Sequence, residues 1–227
     1  MLFKRIHFFI LLFFLVVLCS SRTLAQENLA TARPTSAIGA WTIPNSSFQF
    51  EQGFTYVNDT LILDGHFRFA VSKVAELRLV TFYGSSNIIF GGKFMLLDPG
   101  KHKTGLAAKI SIDQNFRVLD FRLIITKSLG DRFSIFTNVG LNPGGRWYGI
   151  VLFNIGLGDK FSTYLEADIR DGFQQYNTGL TFLINSETQL DFSTGLISNN
   201  NEFFGFEESV YVGVGISRRL KFDNLVH

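Results

Sequence analysis

Apolar and polar residues alternate along most of the chain from Phe48 onward. Between residues 161 and 170, the odd positions carry Phe161, Leu165 and Ile169, and the even positions include Glu166. A period of two places successive side chains on opposite faces of a strand, whereas an amphipathic helix repeats every ~3.6 residues. Such runs recur at 48–56, 61–69, 119–125, 161–170, 189–196 and 210–217. The pattern therefore predicts an all-β fold.

Turn-forming residues separate the alternating runs. Eleven connections rich in Gly, Asn, Asp, Ser and Pro fall at 58–59, 72–73, 84–86, 98–100, 113–115, 130–131, 142–145, 158–159, 171–172, 185–186 and 198–208. They join about twelve strands of roughly ten residues, which is the length of a tilted strand that crosses a membrane. We predict a single transmembrane antiparallel β-barrel over residues 46–222.

One hinge sequence occurs twice, as SLGDRFS at Ser128–Ser134 and as GLGDKFS at Gly156–Ser162. By the strand count, it joins strand six to seven and strand eight to nine. Every even-to-odd connection of an up-and-down barrel lies at the same rim, and in outer-membrane barrels the rim with short turns is periplasmic. We therefore predict short periplasmic turns at these hinges, and an external loop at 198–208.

The composition favours a membrane barrel over a soluble one. Charged residues make up 18% of the chain and aromatic residues 15%, and the net charge of +2 gives no reason to expect a nucleic-acid partner. A closed sheet satisfies every backbone polar group in lipid. We predict that the faces rich in Phe, Leu, Ile and Val contact outer-membrane lipid and that the polar faces line a lumen. A soluble lipocalin-like barrel, with the faces reversed, is the alternative.

Aromatic residues gather near the predicted strand ends, where the two membrane interfaces would lie. One predicted girdle consists of Tyr56, Tyr83, Trp147, Tyr148 and Tyr176, and the other of Phe133, Phe161 and Phe222.

Residues 1–25 are typical of a secretory signal peptide. A basic start precedes an apolar run from Phe8 to Leu18, and small residues before Gln26 provide a cleavage site. Cys19, the one cysteine of the chain, falls in this region, and Leu18 before it is larger than a lipoprotein signal requires. We predict cleavage, export, and insertion into the outer membrane of a Gram-negative bacterium by the barrel-assembly machinery. Residues 223–227 form a short tail.

Residues 26–45 lack strand alternation. This N-terminal segment is marked by Arg33, Pro34, Trp41 and Pro44. Because proline removes a donor from a β-ladder, the segment cannot be an interior strand. It either hangs in the periplasm as a tether or folds back into the barrel as a plug, where Arg33 could pair with Glu51.

A set of charged and polar residues occupies the polar faces and supplies the candidate lumen lining: Glu51, Asp64, His66, Arg68, Glu76, Arg78, Lys93, Lys109, Asp120, Arg122, Glu166, Asp168, Arg170 and Asp191. The two signs nearly balance. Such a lining suits a weakly selective pore for small solutes, or equally a salt-bridged interior that only holds the barrel closed, since a barrel of this strand number has a narrow bore.

The stretch from Ala32 to Tyr56 resembles the start of a known family of outer-membrane barrels, the transporters grouped as "MetA-pathway of phenol degradation". Its marks here are Arg33-Pro34, Thr42-Ile43-Pro44, Gln49 with Glu51, and Gly53 to Tyr56. The resemblance implies a transporter or channel for small solutes, hydrophobic or aromatic ones among them. The alternative is a structural or surface-interaction barrel that conducts nothing.

A third interpretation is an outer-membrane lipid-modifying enzyme. His66 lies two residues from Asp64 on one predicted face, a spacing that permits an acid–base pair. However, no serine lies two residues from His66, where barrel lipases place one. We predict no enzyme activity and no catalytic, cofactor-binding or metal-binding residues.

Overall fold

A computed structural model describes residues 29, 31–142, 145–201 and 205–222. The predicted signal peptide and the tail at 223–227 lie outside these ranges. No helix among the described residues is long and apolar enough to cross a membrane.

The chain is built almost entirely from strands. They are β1 (Ser47–Val57), β2 (Thr60–Ser72), β3 (Ala75–Tyr83), β4 (Ile88–Leu97), β5 (Thr104–Asp113), β6 (Val118–Ser128), β7 (Phe133–Leu141), β8 (Trp147–Gly156), β9 (Phe161–Arg170), β10 (Phe173–Asn185), β11 (Thr188–Asn201) and β12 (Gly205–Lys221). One short helix, α1 (Pro99–His102), lies between β4 and β5.

The twelve strands form a closed antiparallel barrel. Each strand pairs with its neighbours in sequence, and β12 returns to pair with β1, with Gly53 opposite Gly215. Closure removes the free edges that an open sheet would expose. The predicted fold class, a transmembrane antiparallel barrel of about twelve strands, is confirmed.

Alternation along most strands gives the barrel an apolar outside and a polar inside, although Ile150 and Leu152 of β8 are apolar and point inward. Leu165 is 51% exposed, whereas its neighbour Glu166 is 4% exposed. Phe192 and Asp191 on β11 show the same contrast, at 45% and 5%. Exposed apolar side chains surround the whole barrel, and a wall of this extent needs lipid rather than water around it.

The repeated hinge adopts one conformation twice. Gly130 and Gly158 both have φ of 136°, in the region that favours glycine. In each copy the leucine amide donates to the carbonyl oxygen of the phenylalanine four residues on, at 2.8 Å. Both hinges lie at the end of the barrel where β1 begins. We call this the hinge end and the opposite one the far end.

Three predictions about individual positions were wrong. Tyr148, assigned to an aromatic girdle, points inward and is 4% exposed, whereas Trp147 is 68% exposed. Leu119, which the predicted alternation at 119–125 places on the lipid face with Phe121, is the extra residue of a β-bulge and lines an interior cavity. The predicted loop at 198–208 is largely strand, because β11 extends to Asn201 and β12 starts at Gly205.

Connection length does not distinguish the two ends of the barrel. Connections span two to five residues at the far end and two to six at the hinge end. The compartment that each end faces therefore stays a prediction.

Candidate functional site

Residues 31–46, which we call the interior segment, run inside the barrel. Their main-chain amides donate hydrogen bonds to side chains of β1, β3, β6, β7 and β9. Since these strands surround a closed barrel, a segment that reaches all of them lies within the bore.

The interior segment enters and leaves the barrel by the hinge end. Thr31 accepts a hydrogen bond from Gln189, close to the start of β11, at 3.2 Å. At the other end of the segment, the amide of Ile43 donates to Glu76, close to the start of β3, at 2.9 Å. Between these points the chain rises to about the middle of the barrel. The segment is therefore a loop inserted from one side.

Glu51 binds the first part of the interior segment. Its Oε2 accepts from the amides of Ala32 and Arg33, at 2.7 and 3.0 Å. Its Oε1 lies 3.3 Å from Nη1 of Arg68. The predicted contact between Arg33 and Glu51 thus exists through the main chain. The guanidinium of Arg33 binds Asp64 instead, with Nη1 2.5 Å from Oδ2.

Two paired glycines make room for the guanidinium of Arg33. A Cβ added at Gly53 would lie 1.8 Å from Cζ of Arg33, and one at Gly215 would lie 2.8 Å from Nε. Because these glycines sit opposite each other on β1 and β12, they form a flat patch on the barrel wall. A side chain at Gly53 would force Arg33 away from Asp64.

Glu166 repeats the role of Glu51 four strands away around the barrel, on β9. Its two oxygens accept from the amides of Ser36 and Ala37, at 3.0 and 2.7 Å. Asn177 donates to the same carboxylate at 2.7 Å. Each of the two acids therefore binds a pair of successive amides, which is a strong, charge-assisted arrangement.

Neutral side chains complete the binding of the middle of the segment. Asn138 accepts from the amide of Ile38 and donates to its carbonyl oxygen, both at 3.0 Å. The hydroxyl of Thr126 accepts from the amide of Ala40 at 2.9 Å. Ile38 itself is buried, and Trp41 packs edge-on against Phe136 at 5.8 Å between ring centroids.

A cluster around Glu76 binds the returning end of the segment. Arg68 lies 2.8 Å and Lys93 3.4 Å from the carboxylate of Glu76. Lys93 also donates to the carbonyl oxygens of Gly39, at 3.2 Å, and of Trp41. The carbonyl oxygen of Pro44 accepts from Ser47, where β1 begins. The Arg33–Pro34 peptide bond is cis.

A cavity of about 450 Å³ lies between the interior segment and the far end. Thr35, Ser36 and Ile38 form its floor. The charged and titratable side chains around it are His66, Arg78, Lys109, Asp120, Arg122 and Arg170. We call it the far cavity.

Asp120 is the acid of the far cavity, and it is fully engaged. Lys109 lies 2.9 Å and Arg122 3.3 Å from its Oδ2, and the hydroxyl of Tyr148 donates to its Oδ1. Arg170 pairs with Asp168 at 2.7 Å, and its Cζ lies 4.7 Å from the centroid of the Tyr148 ring.

The structure places all fourteen predicted lumen residues at inward positions. Eleven are buried, and His66, Lys109 and Arg170 are partly exposed. Seven of them lie against the interior segment: Glu51, Asp64, Glu76, Lys93, Arg122, Glu166 and Asp191. The others pair among themselves or line the far cavity.

Sequence reasoning missed the uncharged partners, Thr126, Asn138, Tyr148 and Asn177. The search followed charge alone. For Thr126, Asn138 and Asn177, the inward position in the alternation was a signal that could have found them. Within the described ranges, no group of three or more His, Cys, Asp or Glu side chains is placed to hold a metal ion.

The chain matches no protein-family model and no curated protein. Among solved structures, it is similar to the KdgM porin, with a TM-score of 0.61 at 7% identity over 75% of this chain and 98% of that one. It is also similar to the NanC porin, with a TM-score of 0.54 at 8% identity over 75% and 100% of the two chains. A third similar structure is the COG4313 outer membrane channel from Pseudomonas putida F1, with a TM-score of 0.53 at 10% identity over 80% and 98%.

At these identities the likeness concerns the fold. The chain has the fold of outer-membrane β-barrels, and its apolar outer wall agrees with that environment. Membership of the phenol-degradation transporters stays a prediction from the N-terminal residues.

Proposed function

We propose that this protein is an outer-membrane channel for small solutes, closed at rest by its own interior segment. The observation that carries the proposal is the binding of successive amides of the segment by Glu51 on β1 and Glu166 on β9, two strands that lie four positions apart around the barrel. These contacts are side chain to main chain, so they hold the segment without making it a strand of the sheet. A segment bound in this way can leave the bore while the β-sheet of the barrel stays intact.

The similar structures support a channel rather than another barrel function. Two are named porins and the third an outer membrane channel. A barrel of similar strand arrangement therefore serves as a passage in those proteins. The resemblance to the phenol-degradation transporters points the same way.

A structural barrel with a permanently closed interior is the second candidate. The network of Arg68, Glu76 and Lys93 favours it, because these buried ion pairs tie β2, β3 and β4 together. The far cavity argues against it, since a purely structural interior has no need of an open space. The enzyme is third, because His66 lies inside the barrel 3.1 Å from Asp64 and away from the lipid on which such an enzyme would act.

The conductance of the protein in a planar lipid bilayer tests the proposal. We expect low conductance from the full chain and a several-fold higher conductance after deletion of residues 26–40. The deletion variant must keep the heat-dependent gel mobility of a folded barrel. A folded deletion variant with unchanged conductance would contradict the proposal and favour the structural barrel.

A reversible disulfide bond between the interior segment and the barrel wall provides a sharper version of this test. The amide of Ala40 lies 2.9 Å from the hydroxyl of Thr126, so A40C with T126C brings two thiols together. Cys19 belongs to the predicted signal peptide, so no other thiol should interfere. We expect the oxidised double variant to stay closed under voltage and the reduced form to open like wild type, with A40C alone as the matched control. Equal channel opening in the oxidised and reduced forms would show that the segment does not gate.

Orientation in the outer membrane is also part of the proposal, with the hinge end in the periplasm. A cysteine at Ser86, in the β3–β4 connection, should react with an impermeant reagent on intact cells. A cysteine at Asp159, in the second hinge, should not. The reverse pattern would invert the orientation.

A further inference from the structure

Arg78 is a buried cation with an incomplete set of partners. It is 7% exposed, and among the described residues its Nη1 has no hydrogen-bond partner. Its Nε lies 3.8 Å from Glu76, at the outer limit of an ion pair. Arg68, directly opposite on β2, binds both Glu51 and Glu76 at shorter distances. Glu51 and Glu76 are thus already bound by Arg68, Lys93 and the interior segment, and Nη1 of Arg78 has no partner among the described residues.

The far cavity, which Arg78 lines, has an excess of positive charge. Lys109, Arg122 and Arg170 line it as well, and Asp120 is the carboxylate among its described lining residues. Asp120 is already bound by Lys109, Arg122 and Tyr148. A buried donor without a partner, beside a cavity of this charge, is suited to an anion.

One wall of the far cavity is apolar. Val80, Phe82 and Ile89 line this wall near the far end of β3 and β4. Leu119 lines it from the bulge in β6. Val80 pairs directly with Ile89, so the two side chains form one surface. These residues sit on the inward face of the barrel, which they share with Arg78. An inorganic anion has no apolar surface that could pack against this wall.

We propose that the far cavity binds a small organic anion whose carboxylate pairs with Arg78 and whose compact apolar body packs on Val80, Phe82 and Ile89. The volume of about 450 Å³ lies in the range of small-molecule sites. The interior segment forms the floor, so the solute would rest on the plug that closes the channel. The inference deepens the proposed channel function by naming a solute class. It rests on that function for transport but not for binding.

Binding of hexanoate to the full chain in detergent, measured by isothermal titration calorimetry, tests this inference with the segment in place. Hexanamide has the same shape without the charge, and acetate has the same charge without the apolar body. We expect each of them to bind at least tenfold more weakly than hexanoate. Equal binding of hexanoate and hexanamide would overturn the anion site, and equal binding of hexanoate and acetate would overturn the apolar wall.

Two variants connect the binding to these residues. R78M should weaken hexanoate binding at least tenfold, whereas R146M, which removes a charge at the same end but outside the cavity lining, should leave it within twofold. I89N should bring the affinity for hexanoate close to that for acetate. Unchanged hexanoate binding by folded R78M would refute the role of Arg78. If R78M does not fold, the wild-type comparison of hexanoate with hexanamide still decides whether the site takes an anion.

The outcome is separable from that of the conductance experiment. Hexanoate binding is measured in the closed protein and needs no passage. If the barrel binds hexanoate but conducts nothing after deletion of residues 26–40, the anion site is supported and the channel function is contradicted. If the deletion variant conducts but the full chain does not bind hexanoate, the channel function is supported and the anion site is contradicted.

Discussion

The two halves of the lumen differ in the partners that their buried charged groups have. In the hinge half, Glu51, Glu76 and Glu166 each accept several hydrogen bonds, and the interior segment supplies many of the donors. In the far half, none of the described residues forms a segment that fills the bore, and cations outnumber acids around a cavity. Arg78 there has a donor without a partner among the described residues.

The contrast shows what the interior segment contributes. Acids carried by a narrow barrel need partners, and an amide-rich main chain supplies them in the hinge half. The far half has the opposite need, because its cations have few acids to bind. We infer that the interior segment supplies partners for the three glutamates of the hinge half, although both oxygens of Asp191 lack a hydrogen bond among the described residues, and that a solute supplies the partner of Arg78 in the far half. Three changes in the bore test this difference, and a fourth outside it serves as a reference, from the largest expected effect to the smallest.

Replacing Glu51 with glutamine should be the most destabilising change. E51Q removes the charge that binds two amides and Arg68. It also places a glutamine NH2 group, which is a donor, against partners that are themselves donors. Breaking a buried ion pair from one side costs about 3 kcal/mol. Urea unfolding in lipid vesicles measures the loss. A cost near zero would mean that the segment does not depend on Glu51.

Replacing Gly53 with alanine should loosen the interior segment. The added methyl group would lie 1.8 Å from Cζ of Arg33, so the guanidinium must leave Asp64. We expect a loss of about 2 kcal/mol in the free energy of unfolding, as for an overpacked site. G149A is the matched control, because its Cβ would meet nothing within 4 Å. Similar losses in both variants would show a general strand effect rather than one on Arg33.

Replacing Arg78 with methionine should have little effect on stability. R78M removes a buried guanidinium with an unused donor, and Glu76 keeps Arg68 and Lys93. An apolar side chain of similar size in such a position is often neutral or stabilising. We expect a free energy of unfolding within about 1 kcal/mol of wild type. A loss as large as that of E51Q would abolish the contrast between the two halves.

The smallest expected effect lies outside the bore, in the β10–β11 connection. Burial disfavours the charge of Glu187, but hydrogen bonds from Arg219 and Lys221 outweigh it and hold the pKa of Glu187 below its ordinary value. A lowered carboxyl pKa stabilises the fold at neutral pH, and that contribution is lost as the pH falls through the folded-state pKa.

E187Q should therefore cost about 0.5 kcal/mol at pH 7, as for an exposed ion pair. The difference from wild type should disappear in acid, below the ordinary carboxyl range. Unfolding curves at pH 7 and at pH 3 measure it. A difference that does not shrink between pH 7 and pH 3 would assign the effect to something other than the charge.

The sequence determined the fold through a local rule. A period of two requires only neighbouring residues, and turn residues mark where each run ends. For this reason the twelve strands, the shared rim of the two hinges and the inward position of Glu166 followed from residue order. The same rule failed at Tyr148, because an amphipathic aromatic near a strand end suits an interface and a lumen equally. It failed at Leu119 because a bulge shifts the alternation by one residue.

The tertiary structure alone decided how the interior is filled. Ser36 meets Glu166 across 130 positions in sequence, and Ala32 meets Glu51 across 19. No local pattern encodes such pairs, because they depend on closure of the barrel and on the register of every strand between them. Charge marked the residues that line the bore. Closure determined which of them hold the interior segment and which, like Arg78, are left with a donor to spare.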